Sequence, residues 1–307
     1  MICQRESPII LSGNHKYSRK EKSKAARSDT WVQGSLMTSD IGAFCELLFE
    51  ASNEDRLQIL ERLKGESMSV TSLSKRMGIG TQEMSRHVSR LIGSGLIIRE
   101  PDGANRITPY GRLAMSQLSG LRFTARNRHY FSDHTLGGLP EPFVNRLGEL
   151  EESTLLEDSI LVFDHIERMI REANEYVYRI TDGYMTSLMP VIEAAFERGV
   201  EYRLLSPDDV VFPAKFRMGR VMTRAEVAGQ FKVRSNTGPS LFLAMSEKDV
   251  SALGFPNAKG KMDHYGFSSA DPRFYEWCLD FFNHCWERSK PKPNEILAQY
   301  GTFEERS

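Results

Sequence analysis

Residues 71–107 read TSLSKRMGIGTQEMSRHVSRLIGSGLIIREPDGANRI, and the organisation of the whole chain follows from this stretch. Thr71 is a cap residue in front of a short helix that carries Leu73 and Met77. Gly78-Ile79-Gly80 makes a tight turn. Thr81 caps a second helix running to about Ser94, with Met84, Val88, Leu91 and Ile92 at helical spacing on one stripe. Leu96-Ile97-Ile98-Arg99 then reads as a strand, Pro101-Asp102-Gly103-Ala104 as a turn, and Asn105-Arg106-Ile107-Thr108 as the returning strand.

Two helices joined by a three-residue glycine-containing turn, followed at once by a hairpin, are the sequence form of a winged helix-turn-helix. The face of the second helix opposite its apolar stripe carries Thr81, Gln82, Ser85, Arg86, Ser89 and Arg90. Arginine pairs bidentately with guanine and glutamine with adenine, and serine or threonine reaches either bases or phosphates. These six residues are the candidate DNA contacts, with Arg106 of the hairpin reaching a minor groove or a phosphate. Glu83, on or near the same face, would repel phosphate or accept from a cytosine amine. A winged helix used only for protein contacts shares the core pattern, but its outer face needs no such row of donors.

Upstream, Phe44, Leu47, Leu48 and Ala51 share a helical stripe, and Asn53 caps a further helix with Leu57, Leu60 and Leu63 that Gly65 ends. Residues 1–36 are polar, with Lys16, Arg19, Lys20, Lys22, Lys24 and Arg27, and are expected to be disordered. They are either a basic arm or a non-native extension, with Met37 as the start.

The chain has 307 residues, 26% charged and 40% hydrophobic, which allows two domains of ordinary size. No apolar run nears the ~18 residues of a membrane span, and Met1 to Leu11 has no clean apolar core ending at a small-residue cleavage site, so no signal peptide and a cytoplasmic address are expected. Asn53 to Arg112 holds ten Lys/Arg against seven Asp/Glu, whereas Leu113 to the end holds 23 against 28. The basic part is where the DNA contact belongs. Cys3, Cys45, Cys278 and Cys285 form no CxxC, and neither a metal nor a cofactor is expected.

Downstream, Tyr110 opens a helix with Leu113, Ala114, Leu118 and Leu121 on one face, reaching about Phe131. It connects the domains and is a candidate surface for pairing two subunits. His134–Pro142 reads as a linker. The remainder alternates: a helix at Phe163–Ala173, a strand at Tyr176–Ile180, a helix at Met185–Arg198, a strand at Val200–Leu205, strands at Phe231–Val233, Leu241–Ala244, Val250–Leu253 and Tyr265–Ser268, and a last helix at Pro272–Arg288. Such alternation predicts an α/β domain with a mainly parallel sheet.

Arg179 and Arg203 sit inside apolar strand patterns and need partners there. An anionic ligand at the carboxyl ends of the strands would supply one, with Asp182 and Ser206 just beyond those ends and Asp263 as a further polar wall residue. An edge strand with a solvated arginine is the plainer alternative. In the last helix Cys278 and Cys285 lie on one apolar face with Phe274, Trp277, Phe281, Phe282 and Trp286, a stripe suited to core packing or a dimer seam. Two helical turns hold the two sulfurs about 10 Å apart, too far to bridge.

Residues 41–112 resemble the winged helix-turn-helix of many archaeal and bacterial repressors, on Arg56-Leu57-Gln58-Ile59-Leu60, Leu91-Ile92-Gly93-Ser94-Gly95-Leu96-Ile97 and Ile107-Thr108-Pro109-Tyr110-Gly111. The C-terminal part is similar to the archaeal methanogenesis regulatory protein family of the FilR type. The motifs are Leu139-Pro140, Val162-Phe163, Arg203-Leu204-Leu205-Ser206-Pro207, Leu241-Phe242-Leu243-Ala244-Met245-Ser246, Gly260-Lys261-Met262-Asp263 and Trp277. The resemblance implies a transcription regulator, usually dimeric, whose effector domain is similar to one half of a phospholipase D-like fold. Those enzymes use a His-x-Lys. Here His165, His264 and His284 are followed two positions later by Glu167, Gly266 and Trp286, so the resemblance implies binding without that chemistry.

The expectation is therefore an α+β and α/β two-domain protein: residues 37–112 a DNA-binding winged helix-turn-helix, 113–142 a connecting helix and linker, 143–290 an effector-sensing α/β domain and 291–307 a tail. Its expected partners are double-stranded DNA, a second copy of itself and an unidentified small-molecule effector, with no membrane and no catalysis. A phospholipase D-like phosphodiesterase and a protein-binding winged-helix scaffold are the alternatives.

Overall fold

The computed structural model describes residues 28–183, 185–208, 219–236 and 238–292, with side chains from Asp40 onward. The expectation for residues 1–27 and for most of the 291–307 tail lies outside the described residues. The chain divides into two compact units, Met1–Leu113 and Ala114–Ser307.

In the first unit α1 spans Ser28–Ala51, so helix begins ahead of Met37, inside the stretch expected to be disordered. It is followed by α2 (Glu54–Gly65), α3 (Val70–Met77), α4 (Thr81–Gly93), β1 (Ile97–Arg99) and β2 (Asn105–Ile107). Asn53 caps α2 by accepting from the Arg56 N–H. The cap of α3 is Ser69, whose hydroxyl accepts from the Ser72 N–H, rather than Thr71. The cap of α4 is Gly80, without a side-chain bond, and Thr81 is already helical. Gly78 ends α3 at φ +68°, a left-handed conformation that favours glycine. Leu60, Leu63, Leu73, Met84, Val88, Leu91, Leu96 and Ile107 are buried and hold the helices to the wing. Ile92 is half-buried.

Strands β1 and β2 pair antiparallel, and an isolated bridge from Met68 to Asn105 adds a third short strand to the wing. Helix α5 (Pro109–Arg126) follows directly. Its Gly111 is required by packing: a Cβ there would lie 2.1 Å from the Leu96 carbonyl oxygen.

The second unit is built on one sheet of eight strands. In chain order its elements are α6 (Arg128–Phe131), α7 (Glu141–Val144), β3 (Thr154–Leu156), α8 (Ser159–Glu172), β4 (Tyr176–Ile180), α9 (Met189–Glu197), β5 (Glu201–Ser206), α10 (Arg220–Val227), β6 (Phe231–Ser235), β7 (Phe242–Ser246), β8 (Val250–Gly254), β9 (Gly266–Ser269), α11 (Pro272–Arg288) and β10 (Lys290–Pro291). The sheet order is β10-β6-β5-β4-β7-β8-β9-β3. The expected mainly parallel sheet is corrected: β4, β5 and β6 run parallel, and every other pairing is antiparallel. Parallel pairing needs a long crossover, which α9 and α10 supply. Three residues between β7 and β8 allow only a hairpin.

The sheet is covered on both faces. Val162, Ile166 and Ile170 of α8, Ile192 and Phe196 of α9, and Met222 of α10 pack on Val177, Tyr202, Leu204 and Ala244. On the other face Phe274, Trp277, Phe281 and Phe282 of α11, with Phe123, Tyr130 and Phe143, pack on Tyr178, Ile180, Leu205 and Leu243. The expected linker is a packed part of this unit: His134 bridges Asn257, the Ser240 N–H donates to the Gly137 carbonyl, and Leu139 is buried. Cys278 and Cys285 are core residues; burial pushes the Cys285 thiol up to about 12 and the Cys278 thiol well above its usual value. No helix among the described residues is long and apolar enough to cross a membrane.

Candidate nucleic-acid interface and effector pocket

The α3–α4 turn is tied locally. The Ser74 hydroxyl donates to the Ile79 carbonyl at 2.6 Å and lies 3.3 Å from the Thr81 hydroxyl. With Met84, Val88 and Leu91 buried, α4 turns Thr81, Gln82, Glu83, Ser85, Arg86, Ser89 and Arg90 to solvent. Arg86 and Gln82 enter no ion pair or side-chain hydrogen bond among the described residues, so both are available to a partner.

Two of the expected contacts are already engaged. Arg90 grips the buried Glu50 carboxylate through Nη2 at 2.5 Å and Nε at 3.2 Å, and its guanidinium stacks over Phe49. Glu50 is also held by Arg56 at 2.8 Å. The Arg90 hydrogen bond keeps the Glu50 carboxyl below the usual carboxylate range. Arg90 therefore fastens α4 to the end of α1 and is not a free base reader. In the wing, Arg106 Nε lies 2.6 Å from Glu100, an exposed ion pair with which a phosphate would compete. The exposed cations Lys75 and Arg99, which the sequence reading did not single out, flank the same region without ion pairs among the described residues.

Glu83 and His87, one helical turn apart on α4, converge with Asp55 of α2, and one ligand atom from each lies within 4.8 Å of the others. Both His87 ring nitrogens are buried without a hydrogen bond among the described residues, and Nε2 lies 3.6 Å from Asp55. A divalent cation could be held by this set; it is a donor arrangement that no spacing rule revealed, because Asp55 belongs to another helix.

In the second unit the five expected ligand residues do not come together. Arg179 is on β4, buried, and lines an apolar pocket with Thr181, Gly183, Met185, Met189, Ile192, Tyr202, Leu204, Met222 and Phe231. Arg203 lies on the opposite sheet face, because it pairs in register with Tyr178 while Arg179 pairs with Leu204. It bonds Glu201 at 2.7 Å and stacks over Tyr178 and Trp286. Asp182 faces His264 at 3.5 Å, and that bond lowers its pKa. His264 itself has φ 65° and its ring packs against Phe163 and Phe242. Ser206 is buried and accepts from Lys292 at 2.9 Å. Asp263 accepts from His134 at 2.9 Å, with the His134 ring stacked on Tyr130. Of the five, Arg179 lines this pocket. The methionines and Tyr202 that surround it were missed.

Residues 51–100 match the family model described as a helix-turn-helix domain. The chain carries a helix-turn-helix domain, completed as a winged one by β1 and β2. No curated protein matches the chain significantly. Among solved structures, it is similar to TrmBL2, described as an archaeal chromatin protein with a novel mode of DNA binding, at 13% identity over 78% of this chain and 94% of that one, with a TM-score of 0.35. It is similar to the phospholipase D family member Nuc from Salmonella typhimurium at 14% identity over 41% of this chain and 88% of that one, TM-score 0.30. Reduced HlyU from Vibrio cholerae is 27% identical over 28% of this chain and 94% of that one, TM-score 0.25. All three superpose loosely.

Proposed function

We propose that the chain is a DNA-binding transcription regulator that acts as a homodimer, and that its second unit answers to a small molecule. The observation that carries this reading is the outer face of α4. It presents Gln82, Ser85, Arg86 and Ser89 to solvent on a helix whose other face is locked into the core. In a winged helix this is the helix that enters the major groove, N-terminus first. An unpaired Arg86 in its second turn is placed to grip a guanine.

Dimerisation fits the exposed apolar stripe Ile41, Phe44 and Leu48 on α1, spaced as one helix face, and the exposed Leu113 and Leu121 of α5. Sensing without turnover fits the lack of any His-x-Lys in the chain. The likeness of the C-terminal motifs to methanogenesis regulators supports a metabolic signal.

Fluorescence anisotropy with mixed-sequence duplex at two salt concentrations tests the reading. Binding that weakens steeply with salt, together with recovery of a short two-fold motif from a random duplex pool, is the expected result. Salt-insensitive or absent binding to every duplex would leave the winged helix as a protein-contact module. Phe44→Glu with Leu48→Glu is expected to shift the chain from dimer to monomer in light scattering.

A further inference from the structure

Arg179 is 4% exposed, yet only part of its guanidinium is used. Nη1 donates to the Tyr202 hydroxyl at 3.3 Å, while Nε and Nη2 have no hydrogen-bond partner among the described residues. A charge taken out of water without a counter-ion is among the costliest arrangements an interior can hold. Buried donors are almost always satisfied, so two on one side chain point to a missing acceptor.

The geometry of the unpaired edge is specific. Nε–H and Nη2–H lie along one edge of the planar guanidinium. That edge holds both oxygens of a carboxylate in two parallel hydrogen bonds. The Arg179 side chain lines a pocket walled by Met185, Met189, Ile192, Leu204, Met222 and Phe231. Among the described residues the lining contains no Asp, Glu, Lys or second Arg. Among these residues an amino acid's ammonium would find no anion, and a dianionic phosphate would find one cation for two charges. The cavity of about 20 Å³ beside the guanidinium has room for about one water-sized group. Three flexible methionines can swing aside for a short chain. The site lies near the carboxyl end of β4, where the sheet passes from parallel pairing with β5 to antiparallel pairing with β7, a place where α/β sheets take ligands.

We propose that Arg179 anchors a small monocarboxylate with a short apolar chain, held by the Nε/Nη2 edge with its tail among the methionines. The proposal names the ligand class for the sensing role above and rests on that role for its biological meaning, but binding is measured without DNA.

The test is isothermal titration and thermal unfolding of the full chain with butanoate at constant ionic strength. Butanamide serves as the neutral isostere and 2-aminobutanoate as the zwitterion. Butanoate is expected to bind saturably and raise the unfolding temperature; butanamide should do neither, and 2-aminobutanoate should bind at least about 10-fold more weakly, because its ammonium is desolvated without a partner. Arg179→Lys keeps the charge but not the fork, and should weaken butanoate by roughly 100-fold, the worth of two charge-assisted bonds. Arg179→Met should unfold no earlier than the parent and show no butanoate response. The proposal is overturned if butanoate gives no saturable signal, an ordered water then being what satisfies Arg179, if butanamide binds equally well, or if Arg179→Met still binds. Loss of DNA binding with butanoate binding intact would sink the regulator reading and leave this site standing.

Discussion

Arg90 on α4 and Arg179 on β4 present opposite combinations of exposure and availability. Arg90 has 47% of its side chain in water, yet its guanidinium is committed to Glu50. Arg179 is enclosed, yet one edge of it is unclaimed. Exposure is thus a poor guide to which arginine is free to bind. On a surface, a second charge 40 residues away in the chain can claim the group. In a core, a donor whose neighbours offer no acceptor is left to a ligand or a water. The same comparison separates Arg86 from Arg90 on a single helix: both are exposed, and only Arg86 lacks a partner among the described residues.

The largest expected effect comes from breaking the buried end of the Arg90 cluster. Arg56→Ala removes the guanidinium that holds the Glu50 carboxylate and the Phe49 and Glu50 carbonyls. It should cost about 3 kcal/mol of first-unit stability, read from urea unfolding, because the buried carboxylate keeps only the half-exposed Arg90 and the Phe49 and Glu50 carbonyls lose their donor. Next is Arg86→Ala, which should weaken binding to a preferred duplex by about 1–3 kcal/mol and relax preference at one base pair, with stability unchanged. Arg90→Ala should show the reverse pattern: a smaller loss of stability than Arg56→Ala, since Arg56 still holds Glu50, with base preference intact.

Acid should produce the smallest effect. The Glu50 carboxyl is held below its ordinary value of 4.5, first by the Arg90 hydrogen bond and then by the charges of Arg56 and His87. A depressed carboxylate stabilises the fold above its unfolded-state pKa and loses that contribution as pH falls through the folded value. The first unit should therefore weaken below about pH 4.5, and Glu50→Gln should flatten that limb of the stability–pH curve. Equal acid sensitivity in the variant would assign the loss to other carboxylates.

Much of this was legible in the sequence where signals are local. The limits of β4 and α11 agree with the sequence pattern to the residue, since Tyr176–Ile180 is an apolar run and Asp271-Pro272 is a cap followed by a first-turn proline. The winged helix was readable for the same reason, from Gly78, the Met84–Val88–Leu91 stripe and the hairpin. Strand β3 was not, because three residues carry no periodicity. Helix α10 was not, because Arg220–Val227 buries only Met222 and Ala225. Gly137 and Pro140 marked a loop correctly but could not say that the loop is packed. Distant pairing was the main blind spot. Glu50 claiming Arg90, His134 claiming Asp263, and the register that parts Arg179 from Arg203 all depend on tertiary placement. Arg179 stood out in the sequence because an arginine inside an apolar strand has no evident partner, and the structure places it buried on β4.

The most direct test of the central claim is selection of duplexes from a random pool by the whole chain, run in parallel with Arg86→Ala and Arg90→Ala. The account predicts a short recurring motif for the parent, the same motif for Arg90→Ala, and a degenerate base position or no motif for Arg86→Ala. An unchanged motif with Arg86→Ala, or no enrichment by the parent at low salt, would contradict the assignment of α4 as a DNA-reading helix.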